Sequence, residues 1–238
     1  MHQMMGFDRR IKLVWLVAAA SHVLRSHDEK AVRLYLDEFL QNEIPALEAR
    51  KKTLTVLMRI WASPPSALES LRDRGLALFA GTDSVERVAI HWGMTIAAYP
   101  FFREVADVVG RLLRLQGEAS LSQVTRRICE RWGDRERTRR SARHALQTMR
   151  EWNLLAGERG VYRLSAERNL LSKPVSLWLL EAVIASQGQF NGAISGIGNL
   201  PCLYPFAVDV GLRDLRRCEH LEVHSVDAHV ASILAKQD

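Results

Sequence analysis

Arginine is concentrated in one short stretch of the chain, residues 121–150. This stretch holds nine arginines against three acidic residues, whereas the other 208 residues carry 24 basic and 24 acidic side chains. The guanidinium group is a planar fork of N–H donors that suits phosphate oxygens. A basic segment on an otherwise neutral chain is typical of a protein that binds a nucleic-acid backbone, although a solvated helix face would give the same composition.

A helix is predicted over residues 135–152, and its two sides differ in chemistry. At about 100° per residue, its apolar residues fall on one side, namely Ala142, Ala145, Leu146 and Met149. The candidate binding residues lie on or beside the opposite face: Arg137, Arg139, Arg140, Arg143, His144 and Gln147. In a major groove, arginine can form two hydrogen bonds with guanine, and glutamine can do so with adenine. We therefore expect the polar side of this helix to contact DNA.

Four further arginines lie on the elements around that helix. Arg126 and Arg127 belong to a shorter helix predicted over residues 121–132, from which they would reach phosphates. Arg159 lies in the turn of a predicted hairpin and Arg163 on its second strand. Both are expected to touch the adjacent backbone or the minor groove.

The predicted elements in this region follow the order helix, helix, helix, hairpin. The helices cover residues 100–115, 121–132 and 135–152, and the strand–turn–strand pattern covers 154–164. This is the order of a winged helix-turn-helix, in which one helix enters the major groove. Three apolar hairpin residues are expected to close the open side of the helices: Leu155, Val161 and Leu164. An ordinary helical bundle with one hairpin is the alternative.

We predict a mainly α-helical fold in three parts. Residues 1–98 form an N-terminal helical domain, and residues 99–165 form the central winged helix-turn-helix domain. Residues 166–238 form a C-terminal winged-helix-like domain with short β-hairpins. In this last part, Leu221–Val226 and His229–Leu234 are expected to pair as strands.

Common motifs of catalytic sites are missing from the sequence. It contains no P-loop and no G-x-G-x-x-G, G-x-S-x-G or H-E-x-x-H pattern. Possible zinc ligands lie near the C-terminus, but their spacing matches no standard zinc site: Cys218, His220, His224 and His229. We therefore predict no enzymatic activity, no catalytic or metal-binding residue, no cofactor and no small-molecule substrate.

The apolar run near the N-terminus, residues 11–20, is too short for a membrane span. A span needs about 20 apolar residues, and Lys12 interrupts this run. Arg9 and Arg10 precede it as they would in a signal peptide, but the helical pattern continues past the run and favours a buried first helix over residues 9–25. The three cysteines are widely spaced and form no disulfide framework, as is usual in a reducing compartment. We expect a cytoplasmic protein without membrane contact.

Short motifs within residues 30–165 resemble the BrxA-type proteins of BREX phage-defence systems. These motifs are Arg59-Ile60-Trp61 at a helix end, Trp92 followed by Tyr99-Pro100-Phe101, and a helix that runs from Leu146 into Leu154-Leu155. The resemblance implies a cytoplasmic, non-enzymatic accessory protein that binds double-stranded DNA beside an ATPase, a methyltransferase and other defence subunits. The alternative is a structural adaptor, which uses its basic helix to contact another subunit of a defence complex.

Overall fold

Helices dominate the chain, and small β-sheets lie between them in its second half. The computed structural model describes residues 6–225 and 230–236. The α-helices in these ranges are α1 (Leu13–Val23), α2 (Glu29–Gln41), α3 (Leu47–Leu57), α4 (Glu69–Gly81), α5 (Ser84–Ala98), α6 (Pro100–Gln116), α7 (Leu121–Trp132), α8 (Glu136–Glu151), α9 (Lys173–Gln187) and α10 (Leu212–Arg217). None of them is long and apolar enough to cross a lipid bilayer. The predicted mainly helical fold with short strands is confirmed.

The strands are short and fall into three sheets within the described ranges. They are β1 (Ala119–Ser120), β2 (Leu155–Ala156), β3 (Val161–Leu164), β4 (Asn169–Leu170), β5 (Phe190–Ala193), β6 (Phe206–Ala207), β7 (Leu221–Ser225) and β8 (Val230–Ala235). Antiparallel pairing gives the orders β1–β3–β2 and β5–β8–β7, and β4 lies parallel to β6.

The N-terminal half consists of α1 to α6. Asp28 and Asp83 cap α2 and α5, because their side chains accept hydrogen bonds from N–H groups that have no partner within the helix. The first helix starts at Leu13, so the start predicted at residue 9 was wrong. Residues 9–12 are not helical: Lys12 has an extended backbone, with a φ of −81° and a ψ of 145°, and the N–H of Ile11 donates to a side chain of α8.

The segment from α6 to β3 positions the candidate site. α7 begins with a capping box, in which Ser120 and Gln123 satisfy each other's backbone N–H groups. Gly133 has a φ of 83° and ends α7, which lets the chain turn into α8. The strands β2 and β3 then form a hairpin that also pairs with β1.

The hairpin side chains that pack against the helices differ from those expected. Leu155 is buried as expected, but Val161 is half-buried and Leu164 is 37% exposed. Residues three apart on a strand point to opposite faces, so Val161 and Leu164 cannot both face the helices. Tyr162 takes the inward position opposite Ala119.

The C-terminal part contains α9, α10 and the remaining strands. The predicted strand pair is present as β7 and β8, and β5 pairs with the other edge of β8. His229 and the turn between the two strands lie outside the described residues. The sequence pattern missed β5, because Gly192 and the polar Asn191 weaken its strand signal.

Buried apolar side chains from all three predicted parts form one cluster. Trp178 of α9 lies against Gly75 of α4 and Gly93 of α5, where a Cβ atom would overlap the indole ring. The indole N–H of Trp92 on α5 donates to the carbonyl oxygen of Cys202 at 3.0 Å. The domain limits after residues 98 and 165 stay a prediction, because shared packing does not tell which segment folds alone.

Candidate nucleic-acid interface

The helix α8 carries most of the candidate residues, and its predicted phase is confirmed. Ala142, Ala145, Leu146 and Met149 are fully buried. The arginines expected on or beside the opposite side are exposed: Arg137, Arg139, Arg140 and Arg143. These side chains stand in solvent because α6, α7 and the hairpin cover only the apolar side of α8.

A concave surface lies between α7, α8 and the hairpin turn, and it encloses about 810 Å³. Four predicted arginines line it: Arg126, Arg139, Arg143 and Arg159. Hydroxyl groups of Ser120, Ser122 and Thr125 lie on the same surface, as do the carboxyl groups of Glu130 and Asp134. We call this surface the arginine pocket. Four guanidinium groups around one concavity make a donor set that suits phosphate oxygens.

The hairpin turn brings Arg159 to the arginine pocket. The N–H of Leu121, the first residue of α7, donates to the carbonyl oxygen of Gly160 at 2.7 Å and ties the turn to the start of that helix. Arg159 has a φ of 53°, in the left-handed region that glycine usually occupies. The chain therefore places a long cationic side chain where glycine would be less strained.

Three arginines of this region are held in ion pairs. Arg139 binds Asp134, Arg163 binds Glu118 of the segment before β1, and Arg131 binds Glu104 of α6. The hydrogen bond from Arg139 lowers the pKa of Asp134. The sequence pattern missed the pairs of Arg131 and Arg163, because their partners are distant along the chain. The positive charge of residues 121–150 is thus partly neutralised within the protein.

The remaining candidate arginines are not held in ion pairs of this kind within the described residues. Within residues 6–225 and 230–236, no hydrogen bond or ion pair engages their side chains: Arg126, Arg127, Arg137, Arg140, Arg143 and Arg159. All except Arg127, which is half-buried, are exposed. Their guanidinium groups are available to a ligand from solution.

His144 and Gln147 are half-buried, whereas the sequence placed them on the open side of α8. His144 Nδ1 lies 3.2 Å from Gln147 Oε1. Burial lowers the pKa of His144, and the positive charge of Arg9 acts in the same direction. The imidazole is therefore neutral at pH 7, and neither residue is as open to solvent as the arginines of α8.

Three of the possible zinc ligands, Cys218, His220 and His224, lie on β7 or shortly before it. His224 Nε2 lies 3.0 Å from Glu222 Oε1, and His229 lies outside the described residues. In the part of the chain that the structure describes, no three His, Cys, Asp or Glu side chains form a group that could hold a metal ion. All three cysteines are free thiols.

The site as a whole is an exposed arginine-bearing helix beside an arginine-lined concavity. Such an arrangement can bind a polyanion through charge-assisted hydrogen bonds. Comparison of the chain with protein-family models, with curated proteins and with solved structures found no match.

Proposed function

We propose that this protein binds double-stranded DNA, with α8 in the major groove. The observation that carries the proposal is the convergence of four arginines on one concave surface beside the exposed side of α8. An α-helix with its side chains is about 10–12 Å across, and the major groove is about 12 Å wide, so α8 fits the groove. The order α6, α7, α8, hairpin is that of a winged helix-turn-helix, and it supports the same docking.

The roles of the arginines follow from their positions. Arg137, Arg140 and Arg143 project from the exposed side of α8 and would meet base edges or the phosphates that border the groove. Arg126 and Arg159 line the arginine pocket beside α8 and would meet phosphates of one strand. Arg127 is half-buried on α7, outside this pocket, and would meet a phosphate near that helix. Arg139 and Arg163 would contribute less to DNA binding while their guanidinium groups are held in ion pairs. His144 and Gln147 are half-buried and therefore less accessible to DNA than the exposed arginines.

We further propose that binding is not coupled to catalysis and that the protein acts as an accessory component in the cytoplasm. The resemblance of its short motifs to BrxA-type proteins favours a place in an anti-phage defence system, beside other subunits. The adaptor function predicts a different result in solution, because an adaptor in isolation would bind duplex DNA only weakly.

The test compares two variants of equal net charge. One carries Arg137→Gln, Arg140→Gln and Arg143→Gln in α8. The other carries three substitutions at exposed cations that do not line the site, Arg25→Gln, Arg33→Gln and Lys52→Gln. Affinity for a short duplex is measured by fluorescence anisotropy over a range of salt concentrations.

Each phosphate contact contributes about 0.9 to the slope of log affinity against log salt concentration. The α8 variant should therefore lose up to about 2.7 of this slope, while the control keeps the slope of the unmodified chain. If one of the three arginines reads guanine, its loss should cost about 1–3 kcal/mol at one base pair. A folded α8 variant with unchanged affinity and slope would overturn the proposal and favour the adaptor.

A further inference from the structure

The segment before α1 is fixed against the body of the protein at both ends. Phe7 is fully buried, with its ring centroid 5.3 Å from that of Tyr99 and 4.7 Å from that of Phe102. Ile11 is also fully buried. The residues between them are therefore held on the surface in one place, although they form no helix or strand.

Two hydrogen bonds join this segment to α8. The N–H of Ile11 donates to Thr148 Oγ1 at 3.0 Å, and the indole N–H of Trp152, directly after α8, donates to the carbonyl oxygen of Ile11 at 3.0 Å. Arg10 Nη1 also lies 3.3 Å from Glu151 Oε1. The segment thus follows the C-terminal half of α8, and its Arg10 lines one concave surface together with Gln147.

The segment and the arginine pocket lie on opposite flanks of α8. The exposed stripe of α8 runs through Arg137 and Arg140, and at about 100° per residue Glu151 lies within it, near its C-terminal end. Thr148 stands on one side of this stripe, and Arg139 and Arg143 stand on the other. Thr148 and Glu151 bind the N-terminal segment, whereas Arg139 and Arg143 line the arginine pocket. The exposed stripe of α8 therefore has cationic groups on both flanks.

Arg9 and Arg10 are the cations on this second flank. Their side chains are 29% and 49% exposed, and Arg10 lines a second concave surface with Gln147 and Arg150. Arg9 is close enough to α8 for its charge to lower the pKa of His144. In the sequence these two arginines suggested only the flank of a signal peptide.

We propose that Arg9 and Arg10 bind phosphates of the DNA strand opposite to the one met by Arg126 and Arg159. This inference rests on the proposed binding of duplex DNA by α8. A helix in the major groove has a phosphate backbone on either side of it, about 12 Å apart. Because the two arginine groups flank α8, each faces one of those backbones. Glu151 competes with DNA for Arg10, since a carboxylate and a phosphate bind the same N–H groups of a guanidinium group.

The test uses the full chain and three variants. Arg9→Gln with Arg10→Gln removes the proposed contacts, and Arg25→Gln with Arg33→Gln is a control with the same change of charge. Glu151→Gln frees Arg10 without touching either arginine. Duplex affinity is measured against salt concentration for each variant, and circular dichroism checks that each is folded.

The Arg9/Arg10 variant should lower the salt slope by up to about 1.8, and the control should leave it unchanged. Glu151→Gln should steepen the slope by up to about 0.9. If the Arg9/Arg10 variant and its control agree while the α8 variant loses slope, the inference fails and the proposed function stands. If none of the variants changes the slope, the proposed function fails as well. Should the Arg9/Arg10 variant not fold, an unchanged slope in Glu151→Gln would itself overturn the inference.

Discussion

Asp134 holds the guanidinium group of Arg139 through two hydrogen bonds, from Nε to Oδ1 at 2.7 Å and from Nη2 to Oδ2 at 2.5 Å. Both residues line the arginine pocket. The bond from Arg139 lowers the pKa of Asp134, so its carboxylate is ionised at neutral pH. A phosphate that approaches Arg139 must therefore compete with a carboxylate already in place.

Replacing Asp134 should release Arg139 for DNA. We expect Asp134→Asn to strengthen binding to unrelated duplexes and to steepen the salt slope by up to about 0.9, because one more guanidinium group can meet a phosphate. The measurement is duplex affinity against salt concentration. The double variant Asp134→Asn with Arg139→Gln should lose this gain.

Glu130 provides the control for a simple loss of negative charge. It lines the same pocket, and within the described residues no ion pair or hydrogen bond engages its side chain. Glu130→Gln should change the slope less than Asp134→Asn does. Equal gains from the two substitutions would show that general charge, and not the release of Arg139, controls affinity.

Arg159 combines backbone strain with an exposed positive charge, and two substitutions separate them. Its φ of 53° costs an L-residue roughly 1 kcal/mol, a cost that glycine avoids. Arg159→Gly should therefore be more stable to urea than Arg159→Ala by about 1 kcal/mol. Both variants should lose the same amount of salt slope, because both lack the guanidinium group. Equal stability of the two variants would mean that the turn relaxes and stores no strain.

The α8 region shows how much of the fold and of the candidate site can be predicted from local sequence signals. The predicted bounds of α7, 121–132, are those observed, and the buried side of α8 is as expected. Both helices have strong apolar periodicity, and the polar face of each consists largely of charged residues. Such signals depend on neighbouring residues alone, so a single sequence contains them.

What the sequence could not predict depends on contacts between distant residues. Ile11 meets Thr148 across 137 positions, and Arg163 meets Glu118 across 45. No local pattern encodes these contacts, although the first fixes the N-terminal segment against α8 and the second neutralises a candidate arginine. Val161 was misplaced for a different reason, since the pairing of β3 with β1 turns Tyr162, and not Val161, toward the helices.

The buried side of α8 should be costly to alter. Leu146 is fully buried beneath the exposed stripe, so Leu146→Ala removes packing and leaves a cavity. We expect a loss of about 2–5 kcal/mol in the free energy of unfolding, measured with urea. Arg143→Ala, on the exposed side, should change it by no more than about 0.5 kcal/mol. Similar losses from the two substitutions would contradict the observed orientation of α8.

His91 should make the protein less stable in acid. Its ring is fully buried between Trp61 and Phe79, and Nδ1 accepts a hydrogen bond from the indole N–H of Trp61 at 3.2 Å. Burial lowers the pKa of His91 to about 3, and the positive charge of Arg87 acts in the same direction. In the unfolded chain a histidine has a pKa of about 6.5. Between these two values the unfolded state binds a proton that the folded state does not, so acidification favours unfolding.

The expected loss of stability is about 1.4 kcal/mol for each pH unit below about 6.5. His91→Gln keeps an acceptor for Trp61 but cannot titrate, so it should lack this part of the pH dependence. The readout is the difference in free energy of unfolding between the unmodified chain and the variant, measured with urea from pH 7 down to about pH 4. All other titrating groups are common to both chains and cancel in this difference. His27→Gln, at an exposed histidine, is the matched control and should follow the unmodified chain. If the curves for the unmodified chain and His91→Gln run parallel below pH 6.5, His91 is protonated in the folded protein. The prediction that its buried ring stays neutral is then wrong.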